Sequence, residues 1–187
     1  MRVIAGTFRS RPLIGPGRLK MRPTSDRLRE TLFNVLGPTV DDSLFIDVCA
    51  GTGAVAIEAL SRGARHAAFI ESQTGAAQII KQNLSSLGIG SSAELIQADA
   101  IQGLENLASR RLVADFIFLD PPYDEEDLYI RTLEFIDASH LVAPRGIVIV
   151  EHRNGFRLPE IFDRLELARL LEQGDAALSF YRPAAAA

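Results

Sequence analysis

Leu44-Phe45-Ile46-Asp47-Val48-Cys49-Ala50-Gly51-Thr52-Gly53 is the stretch that decides the fold of this 187-residue chain. The apolar run Leu44 to Cys49 reads as a buried strand, Ala50 to Gly53 as a tight turn, and the residues beyond as a helix closed by Gly63. Glycine at 51 and 53 lets the backbone turn sharply and come close to a bound ligand. Strands and helices alternate from there on. His66 to Glu71 is a second strand, followed by a helix from about Thr74 to Leu87. Glu94 to Gln97 is a third, ending in Asp99, with a helix from Ile101 to Ala108. Ala114 to Leu119 is a fourth, ending at Asp120, with a helix from Leu128 to Ile136, and Gly146 to Glu151 is a fifth. Such alternation demands an α/β fold, a mostly parallel sheet with helices on both faces. Leu165 to Leu171 and Ala177 to Tyr181, with Gly174-Asp175 between them, read as a C-terminal antiparallel hairpin.

The composition fits one domain with a full-sized core: 47% of residues are hydrophobic, yet no apolar run reaches the roughly 18 residues of a membrane span. Met1 to Gly6 lacks the apolar stretch of a secretory signal, so a cytoplasmic protein is expected. The one cysteine, Cys49, excludes an internal disulfide and a cysteine-cluster zinc site, and His66, His140 and His152 are scattered, so no metal is expected.

Arg2 to Leu13 reads as strand, Gly-containing turn and strand, a short β-hairpin arm. Gly15-Pro16-Gly17 breaks it and Arg22-Pro23 keeps the chain extended. Thr24 or Ser25 can cap the next helix, where Leu28, Leu32, Val35 and Leu36 form one apolar stripe with Arg27, Arg29 and Glu30 off or beside it, and Gly37-Pro38 ends it. The expected division is an arm at residues 1–23 and a domain at 24–183. The net charge of −4 hides an asymmetry, because residues 1–30 carry eight basic side chains against Asp26 and Glu30. A basic arm on an acidic body suits contact with a nucleic-acid backbone, although a solvated tail has the same composition. Arg9, Arg11, Arg22 and Arg27 are the candidate phosphate contacts. Each could instead be a surface charge, and Arg27 could belong to the cofactor cleft.

Asp120-Pro121-Pro122-Tyr123 closes the fourth strand, since prolines lack the N–H that a ladder needs. A carboxylate and a carbonyl are both acceptors and can hold the two hydrogens of a planar amine, while an aromatic ring stacks on the heterocycle that bears it. Such a grip favours methylation at nitrogen; the alternative is a proline turn with a solvated aspartate. Asp47, Glu71 and Asp99 stand at or near the carboxyl ends of adjacent strands and converge on one cleft. Glu71, 20 residues beyond Gly51, can accept from ribose hydroxyls, and Asp99 can reach an adenine amine or simply cap the next helix. Gly51, Gly53 and Ala56 also fit a dinucleotide fingerprint, but little chain remains for the substrate domain of an oxidoreductase, and that fold gives the Asp-Pro-Pro-Tyr turn no role.

Asp47 to Gly53, Glu71, Asp99 and Asp120 to Tyr123 resemble the ordered motifs of class I S-adenosylmethionine-dependent methyltransferases, in their amino-methylating form. Ala5-Gly6-Thr7-Phe8-Arg9-Ser10-Arg11 and Arg22-Pro23-Thr24-Ser25-Asp26-Arg27, continuing to Asn34, are similar to the RsmD family. The likeness runs from residue 2 to about Arg182, with Ala5 and Gln73 as small departures. It implies a Rossmann-like fold with a seven-stranded sheet. It implies that Asp47, Ala50, Gly51, Thr52, Gly53, Glu71, Asp99 and Ala100 hold S-adenosylmethionine, and that Asp120, Pro121, Pro122 and Tyr123 hold the reacting base. The implied activity is methylation of the exocyclic N2 of a guanine in 16S ribosomal RNA, within an assembling small ribosomal subunit gripped by the arm; a monomer is expected. Adenine-N6 methylation of DNA or RNA is the rival reaction, and a non-catalytic ribosome-assembly factor the rival role.

If the arm binds phosphates, neutralising Arg9, Arg11, Arg22 and Arg27 raises the KM for an RNA substrate and flattens its dependence on salt. Unchanged values of both in steady-state methylation across a salt series would make these arginines bystanders.

Overall fold

Along each central strand successive side chains point to opposite faces of the sheet, and this period of two sorts the core into two layers. The computed structural model describes residues 1–19, 21 and 24–184. In chain order it contains α1 (Asp26–Leu36), a 3-10 turn (Gly37–Val40), β1 (Leu44–Val48), α2 (Ala54–Ser61), β2 (His66–Ile70), α3 (Thr74–Leu87) and β3 (Ala93–Ile96). Then follow α4 (Ala100–Ser109), β4 (Ala114–Leu119), α5 (Glu126–Ala138), β5 (Val142–Arg153), β6 (Leu165–Gln173) and β7 (Ala176–Pro183). The seven strands form one sheet in the order β3-β2-β1-β4-β5-β7-β6. Pairing is parallel from β3 to β5, and β7 runs antiparallel to both β5 and β6. This is the Rossmann-like sheet and C-terminal hairpin expected from the sequence.

Phe45, Phe69, Phe116 and Phe118 project to one face, where they pack with Leu28 and Leu32 of α1, Ile57 of α2 and Ile80 of α3. Their neighbours Ile46, Ile70, Ile117 and Leu119 project to the other, against Leu104 and Leu107 of α4 and Leu133 and Ile136 of α5. β5 is longer than the sequence pattern indicates. A register shift opposite Ala114 and Phe116 lets pairing resume at Ile147, and β7 carries the strand on to Arg153. Among the described residues no helix is long and apolar enough to cross a membrane.

The amino terminus forms the expected short hairpin, with Arg2 bridged to Pro12 and the Val3, Ser10 and Leu13 amides bonded to the Arg11, Val3 and Met1 carbonyls, while the Ile4, Ala5, Thr7 and Phe8 amides turn instead to α2. The Ile4 and Ala5 N–H groups donate to the two carboxylate oxygens of Glu58, at 2.8 Å and 3.0 Å. Thr7 N–H reaches the Ser61 carbonyl at 2.7 Å. Gly6 makes that approach possible: a Cβ there would fall 1.7 Å from the same carbonyl oxygen. Residues 1–13 therefore lie against the body as a docked flap.

Glu58, fully buried, is the anchor, and it also takes Arg62 Nε at 2.8 Å and faces Arg29 Nε at 3.7 Å. Arg29 was expected beside the apolar stripe and is instead wholly buried. It donates to the Arg2 carbonyl and, at 3.1 Å, to Asp26. Burial holds its pKa below the usual arginine value, with Glu58 and Asp26 opposing the shift.

Breaking a buried ion pair by removing one partner costs more than the pair contributes, because a charge stays behind in a dry site. Glu58→Ala should lower stability by about 3 kcal/mol in denaturant titration and speed hydrogen exchange at the Ile4 and Ala5 amides. Unchanged protection of those two amides would refute the docking.

Candidate active site

Beyond β1 the chain crosses to β2 on one side, whereas β4 flanks β1 on the other, and at such a reversal of strand order a crevice opens at the carboxyl ends. A cleft of about 580 Å³ lies there. Asp47, Ala50, Gly51, Thr52, Glu71, Asp99, Ala100, Asp120, Pro121, Pro122 and Tyr123 all line it. Gly53 is not among the lining residues. It caps α2 with φ 76°, and a Cβ there would press on Phe69 and Ile80 at 3.1 Å and 3.2 Å, so packing and backbone conformation both demand glycine.

The loop after β1 is held in an uncommon conformation. Cys49 (φ 62°) and Gly51 (φ 56°) are both left-handed, a state that costs a non-glycine residue about 1 kcal/mol. Glu71 secures the turn by accepting the Gly51 N–H at 2.7 Å on one oxygen and the Gln73 N–H at 2.7 Å on the other. Each oxygen keeps a second lone pair for a ribose hydroxyl. The position of a Cβ on Gly51 is open, with Met21 Sδ at 3.9 Å the nearest atom, so a ligand can press against this backbone. Asp99 caps α4 through the Gln102 N–H at 2.9 Å and also lines the cleft.

Asp47 is 2% exposed and accepts the Ala56 N–H at 3.1 Å. Burial pushes its pKa up to about 8; the Ala56 hydrogen bond opposes this and the charges of Glu71 and Glu151 reinforce it. On the opposite wall Thr24 Oγ1 donates to Glu151 Oε2 at 2.9 Å and stands 3.4 Å from Asp120 Oδ2. Tyr123 O–H points to Glu151 Oε1 at 3.4 Å. The buried Tyr129 O–H donates to the Pro121 carbonyl at 3.0 Å, fixing that carbonyl and leaving it one lone pair for a substrate.

Sequence reasoning missed Glu151, Thr24 and Tyr129. Glu151 was findable, for it follows Val150 in the fifth apolar run as Glu71 follows Ile70 and Asp120 follows Leu119. Thr24 was read only as a possible helix cap, a task Ser25 performs through the Leu28 N–H. Tyr129 gave no signal beyond its place in a helix.

The basic residues do not form one patch. Arg9 and Arg27 line a second groove with Arg2, Arg62, Asp26 and Glu30, whereas Arg11 donates to the Ser86 carbonyl at 2.9 Å. Arg22, and with it the arm's boundary at residue 23, lies outside the described residues. Among the described residues the cleft lining is acidic: Asp47, Glu71, Asp99, Asp120, Glu125 and Glu151 stand against Arg131. That balance suits a cationic ligand and opposes the paired phosphates of a dinucleotide. Among the described residues no group of three or more His, Cys, Asp or Glu side chains is arranged to hold a metal ion.

A family model described as "Conserved hypothetical protein 95" matches residues 1–182. The chain is 35% identical over 182 residues to "Putative rRNA methyltransferase YlbH" of Bacillus subtilis, covering 97% of this chain and 98% of that one. It is 33% identical to "Ribosomal RNA small subunit methyltransferase D" of Escherichia coli, covering 97% and 89%. Among solved structures it superposes on a putative methyltransferase, yhhF, from Escherichia coli with a TM-score of 0.83, 31% identity and coverage of 98% and 97%.

A buried acid whose pKa is raised on folding favours the fold most when protonated. Its contribution is complete below the unfolded value near 3.8 and is lost as pH rises through about 8. Asp47→Asn keeps the acceptor for Ala56 without the charge. The variant should match the parent in Tm near pH 4 and exceed it at pH 9; parallel Tm profiles would refute the assignment.

Proposed function

The chain belongs to the RsmD family, the group with the matching model, and on that premise we propose that it is an S-adenosylmethionine-dependent ribosomal RNA methyltransferase acting on the exocyclic N2 of a guanine in 16S RNA. The observation that carries the reading is the facing of two walls across the β1–β4 crevice. Gly51, Glu71 and Asp99 stand on one, Asp120, Pro121 and Tyr123 on the other. The acidic lining and the open face of Gly51 fit S-adenosylmethionine, with Glu71 for its ribose, Asp99 for its adenine and Ala50, Thr52 and Ala100 as walls.

When bound, that cofactor supplies a methyl group on a sulfonium, already activated for direct displacement. The protein's part is largely positioning. Asp120 and the Pro121 carbonyl accept the two hydrogens of the guanine amine, and the Tyr123 ring stacks on the flipped base. The amine becomes acidic as it is alkylated, and Asp120 is placed to take its proton. Pro122 ends the strand and fixes the approach of Tyr123.

Residues 1–23 serve as the RNA-gripping arm of a 24–183 catalytic domain, with Arg9, Arg11, Arg22 and Arg27 at phosphates. The substrate is an assembling small-subunit particle, the enzyme works as a monomer, and its compartment is the bacterial cytoplasm. The names of relatives matched over most of their length support ribosomal RNA as the substrate class.

The decisive test is transfer of labelled methyl from S-adenosylmethionine to small ribosomal subunits from cells lacking the protein, followed by nucleoside analysis. N2-methylguanosine from a single site is the expected product. Label in N6-methyladenine would keep fold and cofactor and overturn the substrate, and no label with measurable cofactor binding would favour an assembly role. Asp120→Ala should cut turnover by at least ~100-fold while leaving cofactor affinity within a few-fold. An equal loss of both would remove Asp120 from the chemistry.

A further inference from the structure

Chain from outside the βα units also lines the cleft. Met21, half-buried, stands between the flap and α1, and its Sδ lies 3.9 Å from where a Cβ on Gly51 would be. The sulfur is therefore in van der Waals reach of the space over the glycine turn that Glu71 secures. Two residues earlier, Leu19 is seated on a different wall. Its Cδ2 and Cδ1 lie 3.1 Å and 3.2 Å from the Cβ position of Gly75, so any larger residue there would press on them. Gly75 lies in the first turn of α3, where glycine is a poor helix former and no left-handed φ calls for it. What the glycine provides is room for Leu19. The Leu19 N–H donates to the Pro16 carbonyl at 3.0 Å, and the Leu19 carbonyl accepts the Met21 N–H at 2.9 Å. These bonds tie a side chain anchored on α3 to a thioether in the cleft wall.

We propose that Met21 is a cofactor-contacting residue, packing on S-adenosylmethionine over the Gly51 turn, where Glu71 takes the ribose, and held in place by Leu19 in its seat on Gly75. The inference rests on the S-adenosylmethionine reading above. A thioether suits the position on three counts. It is apolar and keeps water from the contacts between carboxylates and ligand, which strengthen as water leaves. It carries no charge to repel a sulfonium. Its unbranched chain, with three rotatable bonds, can shape itself to what it covers. The cofactor site is then completed by the stretch that leads from the flap to α1, and not by the βα loops alone.

The chain has two methionines, Met1 and Met21, so oxidation of one can be read against the other. Hydrogen peroxide converts an accessible thioether to its sulfoxide. Saturating S-adenosylmethionine should slow this at Met21 by at least ~5-fold, measured by peptide mass spectrometry. Met1, which is not among the cleft-lining residues, should oxidise at its ligand-free rate. In calorimetry Met21→Ala should weaken S-adenosylmethionine binding about 10-fold with Tm near that of the parent. Met21→Leu restores the apolar bulk and should return the affinity to within ~2-fold. Leu19→Ala, at a residue outside the cleft lining, should weaken binding by ~3-fold through loss of the seat. Unprotected Met21, or parental affinity in both alanine variants, overturns the proposal. A lowered Tm in Met21→Ala with the affinity of the folded protein unchanged makes Met21 a packing residue and overturns it equally. A parent protein that binds no S-adenosylmethionine would instead defeat the functional reading on which it rests.

Discussion

Parallel register across four strands is the constraint on which the rest of the molecule depends. Val48 pairs with both Ile70 and Leu119, and Leu119 pairs with Val150. The next residues, Cys49, Glu71, Asp120 and Glu151, consequently emerge in one row at the carboxyl edge of the sheet. No side chain has to be carried there by a long loop. The split in strand order at β1 then opens the row into a crevice, and the left-handed turn after Cys49 folds Gly51 toward Glu71 to form its floor.

The electrostatics follow from this packing. Among the described residues six carboxylic acids line the cleft with one arginine, and acids so close repel one another unless compensated. Part is relieved by backbone amides, as at Glu71 and Asp99, and part by neutralisation, as the raised pKa of Asp47 indicates. Glu58 is the contrasting case, a buried acid fully engaged by amides and arginines and thereby structural.

Period-two alternation and glycine-punctuated turns made the sheet and its helices legible, because both are local patterns that tertiary packing reinforced. The strand-end acids Glu71, Asp99 and Asp120 were legible for the same reason. Glu151 follows the identical rule and escaped notice only because no familiar motif surrounds it. The amino-terminal hairpin was legible, but its docking on the body was not. Alternation predicts that a segment can pair, but not that its amides will be taken by Glu58 and Ser61, more than fifty residues away in sequence. Arg29 was equally opaque, since an arginine flanking an apolar stripe is ordinarily solvated, and only the docked flap closes over this one. Gly53, expected at the ligand from the Gly-loop motif, has Phe69 and Ile80 packed where a side chain would stand.

One helix joins the two halves of the molecule. α2 begins at Ala54, directly after the turn that forms the cleft floor, and Asp47 holds its first turn through the Ala56 amide. Glu58 and Ser61, further along the same helix, fasten residues 4–8. All eight residues of this helix are buried, so it moves as a rigid strut or not at all. The position of the flap is thereby referred to the cofactor loop through a single element, without a hinge between them. A base presented by RNA lying along the flap would meet the cleft at a distance set by α2, which makes the depth of Glu58 and Arg29 in the core a condition for the register of the reaction and not only for the stability of the fold.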